Sequence, residues 1–259
     1  MVRIGRRAVL LAVLFVAAVP ALAAPSAHLE GYVPVAAHIQ GKFGSYWSTD
    51  LWIYTQGATS VHLWYNPENH DNSGVASTVI TLDEPAVFLP DVVAGLFGTT
   101  GKGSVHYAAD GPLVILSKTW TPAEQGGTYG QMTYGIPVAA ASMGAYGQAG
   151  ALRALVNKRA GFRVNLGLVN VTGTPVTATL EVFDESGAPV AGFAPLPVAL
   201  APFDMRQLDD VLASVTGYPS GLVVRVSVSA GNGAVLAYLS EADNTTNSGA
   251  YQELFRFGP

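Results

Sequence analysis

The chain has 259 residues, 49% of them apolar and 12% charged, with a formal charge of -5 at neutral pH. This composition supplies a sizeable core and excludes a disordered chain. Beyond Lys158, Arg159 and Arg163 no basic cluster follows the N-terminal segment, which excludes a phosphate-binding surface for nucleic acid. There is no cysteine, so disulfides, thiolate metal sites and cysteine nucleophiles are excluded and every domain must be stable from its own core.

Arg3, Arg6 and Arg7 precede an apolar run from Ala8 to Val19 that ends at Ala21-Leu22-Ala23. A positive start, a short apolar stretch and a small-residue site are the parts of a secretory signal peptide. The run is shorter than the roughly 18–20 residues a bilayer span requires. Residues 1–23 are therefore expected to be cleaved, leaving no membrane span and a mature chain that is secreted, periplasmic or at the cell surface.

Alternating residues then predict a strand over 33–39 and another over 47–56, separated by the turn residues Gly41 to Ser45. Gly57-Ala58-Thr59 is read as a tight connection to a hairpin partner at 60–65. The polar stretch Asn66 to Gly74 is a loop, and strands follow at 76–82 and 86–89. Asp91 is placed as the cap of a short helix from Val92 to Phe97. Strands at 104–109 and 112–120 are read as a hairpin across Asp110-Gly111, and a strand at 128–136 closes the set. Residues 138–157, rich in Ala, Gly and Ser, form the expected linker, with a helical turn near Leu152 to Val156.

The pattern then repeats. Trp47-Ser-Thr-Asp50-Leu51-Trp52-Ile53-Tyr54 returns as Phe162-Arg-Val-Asn165-Leu166-Gly167-Leu168-Val169, an offset of 115 residues (162 less 47). The same offset carries Val61 to Val176. Strands follow near 162–170, 175–183, 189–206, 221–229 and 233–240, the last two read as a pair across Gly231-Asn232-Gly233. Asp209-Asp210-Val211-Leu212 echoes Pro90-Asp91-Val92-Val93 as a second short helix, and Ser240 is aligned with Ser117. The expected fold is all-β: two tandem antiparallel β-sandwich (Ig-like) domains related by an internal repeat, each with one short helix, over 30–137 and 158–259.

Thr49-Asp-Leu-Trp-Ile-Tyr54, the later Asp-Val-Val helix, Gly111-Pro-Leu-Val-Ile-Leu-Ser117 and Gly127-Thr-Tyr-Gly130 together make the chain resemble a group of secreted bacterial proteins with tandem sandwich repeats and no assigned activity. The resemblance implies a fold and a compartment, and no catalytic residues.

Asp50 and Asn165 share one repeat position. Asp and Asn interchange poorly as acids but readily as acceptors for backbone N–H groups, which favours the structural role. Ser117 and Ser240 lie outside any nucleophile motif and share no histidine with the repeat. The five histidines lack zinc-ligand spacing. Glu68, His70 and Asp71, or Glu241, Asp243 and Asn244, fit plain turns better than an ordered cation loop. No metal, cofactor or catalytic residue is expected.

All four Trp (47, 52, 64 and 120) lie in the first copy. If Leu51, Ile53, Val61 and Leu63 face the core, Trp52, Tyr54, His62 and Trp64 share the opposite face, where the second copy has Gly167, Val169, Thr177 and Thr179. These four are the candidate ligand-binding residues, for a protein or glycan partner or for an internal interface. The sequence points to a non-enzymatic extracellular binding or structural protein, with a carbohydrate-binding module as the alternative and a secreted hydrolase as a weaker one.

Overall fold

The computed structural model describes residues 28–124, 126–143, 150–217 and 219–256. The expected signal peptide at 1–23 lies outside them. The described N-terminal half runs β1 (His28–Gln40), β2 (Tyr46–Thr55), β3 (Thr59–Pro67), β4 (Thr78–Leu82), β5 (Ala86–Leu89), helix α1 (Val92–Gly95), β6 (Gly101–Pro122), β7 (Thr128–Tyr134) and β8 (Ile136–Pro137). The strand that organises it is β6. Its first part pairs with β1 and β3, and its second part pairs with β2 and β7, all antiparallel. It therefore runs through two layers, β4-β3-β6-β1-β8 and β5-β2-β6-β7. Alternate residues of each strand point inward. Leu51 and Ile53 of β2, Val61 and Leu63 of β3, and Val105, Tyr107, Leu113 and Ile115 of β6 meet in one buried cluster.

The C-terminal half has β10 (Leu152–Val156), β11 (Phe162–Asn170), β12 (Val176–Phe183), β13 (Leu196–Leu200), β14 (Met205–Leu208), β15 (Leu222–Gly231), β16 (Ala234–Asp243), β17 (Gly249–Glu253) and β18 (Phe255–Arg256), while β9 (Ser142–Met143) pairs with β16. Its sheets are ordered β13-β12-β15-β10-β18 and β14-β11-β16-β17. This is the pairing order of the first half, with β15 and β16 in place of the two parts of β6. The strand ends between them at Gly231, whose φ of 86° favours glycine. Leu166, Leu168, Ala178 and Leu180 belong to a second buried cluster.

The all-β fold follows the sequence reading, but several local connections do not. Asp110-Gly111 makes no hairpin: β6 runs straight through it, and neither residue has the positive φ that a tight hairpin turn needs. Segments 47–56 and 60–65 are not hairpin partners either. β2 and β3 face one another across the core, because each finds its partners elsewhere, β2 with β1, β5 and β6, and β3 with β4 and β6. For the same reason β15 and β16 lie in different sheets. Leu152 to Val156, read as a helical turn of the linker, is strand β10, paired with β15 and β18.

Among the described residues the second short helix is also absent. Around Asp210 the hydrogen bonds close after three residues, Ala213 N–H to Asp210 O and Val215 N–H to Leu212 O, which makes turns. At α1 the Gly95 N–H reaches Asp91 O at 2.7 Å, four residues back. Asp91 precedes that helix without capping it: its φ is 43°, and its carboxylate meets His38 Nδ1 at 2.7 Å instead.

A third apolar cluster joins the halves. Tyr32, Val35 and Ile136 from the first pack with Val169, Met205, Leu236 and Tyr238 from the second. The polar stretch read as a loop from Asn66 begins inside β3, and its remainder from Glu68 to Gly74 straps across this junction. Asn69 N–H donates to Met205 O, Asn72 N–H donates to Pro202 O, and Asn72 Nδ2 donates to Phe203 O at 3.1 Å.

Candidate functional site

The shared position of Asp50 and Asn165 is structural. Asp50 Oδ1 accepts the Asp91 N–H at 2.9 Å, and Asn165 Oδ1 accepts the Asp210 N–H at 3.1 Å. Both donors sit at a φ of 43°, an unfavourable conformation for a residue with a side chain. In each half a short polar acceptor on the central strand pins the start of the same strained turn. Asp50 Oδ2 also accepts the Trp120 indole N–H at 2.8 Å.

The four aromatic candidates are divided between two surfaces. Because β2 and β3 occupy opposing layers, Trp52 and Tyr54 point outward from one and His62 and Trp64 from the other. The common face expected of them does not exist. Registers also change three counterparts. Trp64 lies in the row Trp64–His106–Tyr32–Ile136 and Glu181 in the row Glu181–Arg225–Arg153–Phe255 of the matching strands, so Trp64 corresponds to Glu181 and His62 to Thr179. Asp50 pairs with Lys118 and Asn165 with Ser240, so the counterpart of Ser240 is Lys118 and not Ser117.

His62 and Trp64 belong to a ladder of stacked rings. Trp64 lies 5.8 Å from His62 and 4.7 Å from His106, and His106 lies 4.6 Å from Tyr32. Phe203 of the second half stacks on His106 at 6.3 Å. Glu30 accepts from His106 Nε2 at 2.9 Å. Burial nevertheless dominates and holds the imidazole below its ordinary pKa, so the neutral ring is favoured. This ladder ends beneath the second half and serves the internal junction.

Trp52 and Tyr54 lie on an open surface. Cross-strand pairing aligns Phe88, Trp52, Leu116 and Tyr134 in one row across β5, β2, β6 and β7. Tyr54 is the next outward residue along β2, and Met132 lies beside Tyr134 along β7. Phe88, Tyr54, Tyr134 and Met132 are 44–55% exposed, and Trp52 is half-buried with its ring stacked on Phe88 at 5.0 Å. The flanking charges are occupied: Asp50 by the two donors above, and Lys118 by Thr128 at 3.1 Å. Phe88, Leu116 and Tyr134 are not evident as site residues in the sequence. Each lies among other apolar residues of its strand with nothing local to single it out, and only the pairing gathers them.

The matching surface of the second half is covered. There Gly167 replaces Trp52, and a Cβ at Gly167 would lie 1.9 Å from the Tyr238 ring. The glycine lets Tyr238 lie flat across β11, bonded to Gln207 at 3.2 Å and buried in the junction.

A cleft of about 380 Å³ opens between the halves, lined by Lys42, Lys102, Trp47, Gln131, Arg163 and Gln207 among others. Its cations are engaged: Lys42 with Asp209 at 3.0 Å, Lys102 with Glu68 at 3.1 Å, and Arg163 with Asn244 and Asn247. The Lys42–Asp209 pair spans the two halves, while the Lys102 and Arg163 contacts each lie within one half. His70 Nδ1 meets the Glu68 carbonyl, Asp71 closes a turn onto the Ser73 N–H, and Asp243 closes one onto the Thr245 and Thr246 N–H groups. Among the described residues no group of three His, Asp or Glu is arranged to hold a metal. Ser117 Oγ bonds to Thr133 Oγ1 and Ser240 Oγ to Gln131. Among the described residues no helix is long and apolar enough to cross a membrane.

No protein-family model matches the chain, and comparison with curated proteins finds no match.

Proposed function

We propose that the protein is a non-enzymatic extracellular binding or structural protein, built from two copies of one β-sandwich and exported by its N-terminal signal peptide. Its contact surface is the outer face of β5-β2-β6-β7. The observation that carries this reading is the exposed row Phe88–Trp52–Leu116–Tyr134, flanked by Tyr54 and Met132. Clustered exposed aromatics of this kind are characteristic of contact surfaces, where large rigid side chains bury much area at little entropic cost. The same strand position in the second half, filled by Gly167 and Tyr238, is already used for contact between the halves.

The test is photo-cross-linking in the host cell, with a photoreactive amino acid at Phe88 and, as control, at Thr177 on the outward side of β12. Discrete adducts from position 88 alone support the reading. Equal labelling from both positions, or none, overturns it.

A carbohydrate platform is the second reading, favoured by the adjacency of Trp52 and Tyr54 on a flat sheet face. Sugar recognition also uses polar groups beside the ring, and here the neighbours are Phe88, Leu116 and Val114 while Asp50 and Lys118 are engaged. A glycan array probed with the wild type and Trp52→Ala decides between the two. Binding that is lost in the variant establishes the sugar platform, and an empty array removes it.

A further inference from the structure

The two halves can be superposed residue by residue through their strand registers. On the central strands, Trp52 pairs with Phe88 and Leu116, while Gly167 pairs with Gln207 and Tyr238. One step along, Tyr54 pairs with Val114 and Val169 with Leu236. In the other layer, Tyr32 pairs with His106 and Ile136, while Arg153 pairs with Arg225 and Phe255. The internal junction is thus a contact between two different surfaces of the same repeat. The layer bearing Val169, Leu236 and Tyr238 in the second half rests on the edge bearing Tyr32, Val35 and Ile136 in the first.

Each of these surfaces has a counterpart, and among the described residues both counterparts present exposed apolar side chains. The counterpart of the covered layer is the aromatic face: Tyr54 for Val169, Val114 for Leu236, Leu116 for Tyr238. The counterpart of the supporting edge lies on β10 and β18: Arg153 for Tyr32 and Phe255 for Ile136. Leu155 shares the outward side of β10 with Arg153. Leu155 is 65% exposed and Phe255 54%, although Val35 and Ile136 are buried in the first half. One chain thus carries one closed contact and, at its two ends, the unmatched partners of that contact.

We infer that the protein self-associates head to tail, the aromatic face of the N-terminal half seating on the Arg153–Leu155–Phe255 edge of a second copy. This rests on the reading of the aromatic face as a contact surface and names its partner. The chemistries suit one another. Leu155 and Phe255 offer apolar area to Trp52, Phe88 and Tyr134, and the Arg153 guanidinium offers a cation to ring faces. Arg225 beneath is neutralised by Glu181 at 2.7 Å and lies over Phe183, so the edge carries no unpaired repulsive charge from that pair. The contact joins unlike surfaces, so each added copy leaves one face and one edge free. The product is an open series or a closed ring.

Sedimentation velocity on the purified chain over a range of concentration tests this directly. The wild type is expected to give a concentration-dependent series of oligomers. Phe88→Asp on the face and Leu155→Asp on the edge should each weaken association by at least about tenfold, since apolar contact area is lost and a charged group must be stripped of water. Both sites are exposed, so circular dichroism should match the wild type. Tyr134→Asp and Phe255→Asp provide a second pair should either variant misfold.

The decisive sample is a one-to-one mixture of a face variant and an edge variant. One intact face and one intact edge remain in it, so it should form a dimer and stop there. A wild type that stays monomeric throughout overturns the inference, as does an edge variant that associates like the wild type. In either case Phe88 adducts to a different molecule in cells would leave the contact-surface reading standing, whereas loss of those adducts would remove both.

Discussion

The carboxylate of Asp50 holds the backbone N–H of Asp91 at 2.9 Å, fixing a turn whose first residue sits at positive φ. Asp50→Ala should cost about 2 kcal/mol, since it strands that N–H and the Trp120 indole N–H together. Asp50→Asn should cost about half as much. The amide oxygen can serve Asp91 as Asn165 serves Asp210, but its NH₂ cannot accept from Trp120. Urea denaturation of the two variants gives the difference, and a shift in Trp120 emission identifies its source.

Gly167 admits the Tyr238 ring. Gly167→Ala places a methyl within the ring's volume and should cost about 2–3 kcal/mol. Gly167→Ala combined with Tyr238→Ala should be less damaging than the sum of the two single changes, because the clash disappears with the ring. A thermal-unfolding double-mutant cycle measures the coupling.

Glu253 stands across from Tyr238 at the edge of the junction, and burial pushes its carboxyl up to about 7. A carboxyl raised in the folded state binds its proton more tightly there than in the unfolded chain. Stability is therefore full below the ordinary value of 4.5 and drains away as pH rises through about 7. The loss should be about 2 kcal/mol once partial solvent exposure is allowed for, and Glu253→Gln should abolish it. Denaturant midpoints measured at pH values below 4.5 and above 7 test both statements.

His106 titrates in the opposite sense. Burial in the ring ladder holds its pKa below the ordinary 6.5, so the unfolded chain takes up the proton first. Stability is full above that value and falls as the pH drops through the depressed one. His106→Phe keeps a ring between Tyr32 and Trp64 and should remove this acid-side loss. Stability profiles of the two proteins below neutrality make the comparison.

Asn72 is the centre of the strap between the halves, 5% exposed, with its Nδ2 reaching Pro67 O and Phe203 O at 3.1 Å. Asn72→Ala should cost about 2 kcal/mol by leaving buried carbonyls unmatched. Faster proteolysis within 66–74 at unchanged protease concentration would show that the loss falls on the strap.

Alternation along the strands is legible in the amino-acid sequence. Parity puts Leu51, Ile53, Val61 and Leu63 on the core side, with Leu166 and Leu168 at the repeated positions, and all six are buried. The exchange of Asp50 for Asn165 likewise points to a backbone acceptor, because either side chain can supply one oxygen and only one of them can supply an acid. These readings depend on the chemistry of a side chain and on the two-residue period of a strand, both of which are local.

The chain's choice of partners is not local. Asp110-Gly111 has the composition of a hairpin turn, yet it lies inside a continuous strand because β1 and β3 capture one flank and β2 and β7 the other. The same distinction separates Trp52 and Tyr54 from His62 and Trp64: inward and outward are set by parity along a strand, while the layer a strand joins is set by pairing with distant segments. Sequence by itself determined the class of fold, the core-facing residues and the repeated acceptor. Only the tertiary structure decided which aromatic residues are covered by the second half and which, with Phe88 and Tyr134, form an open face. That outcome rests on register between strands far apart in the chain, and no period within a single strand encodes it.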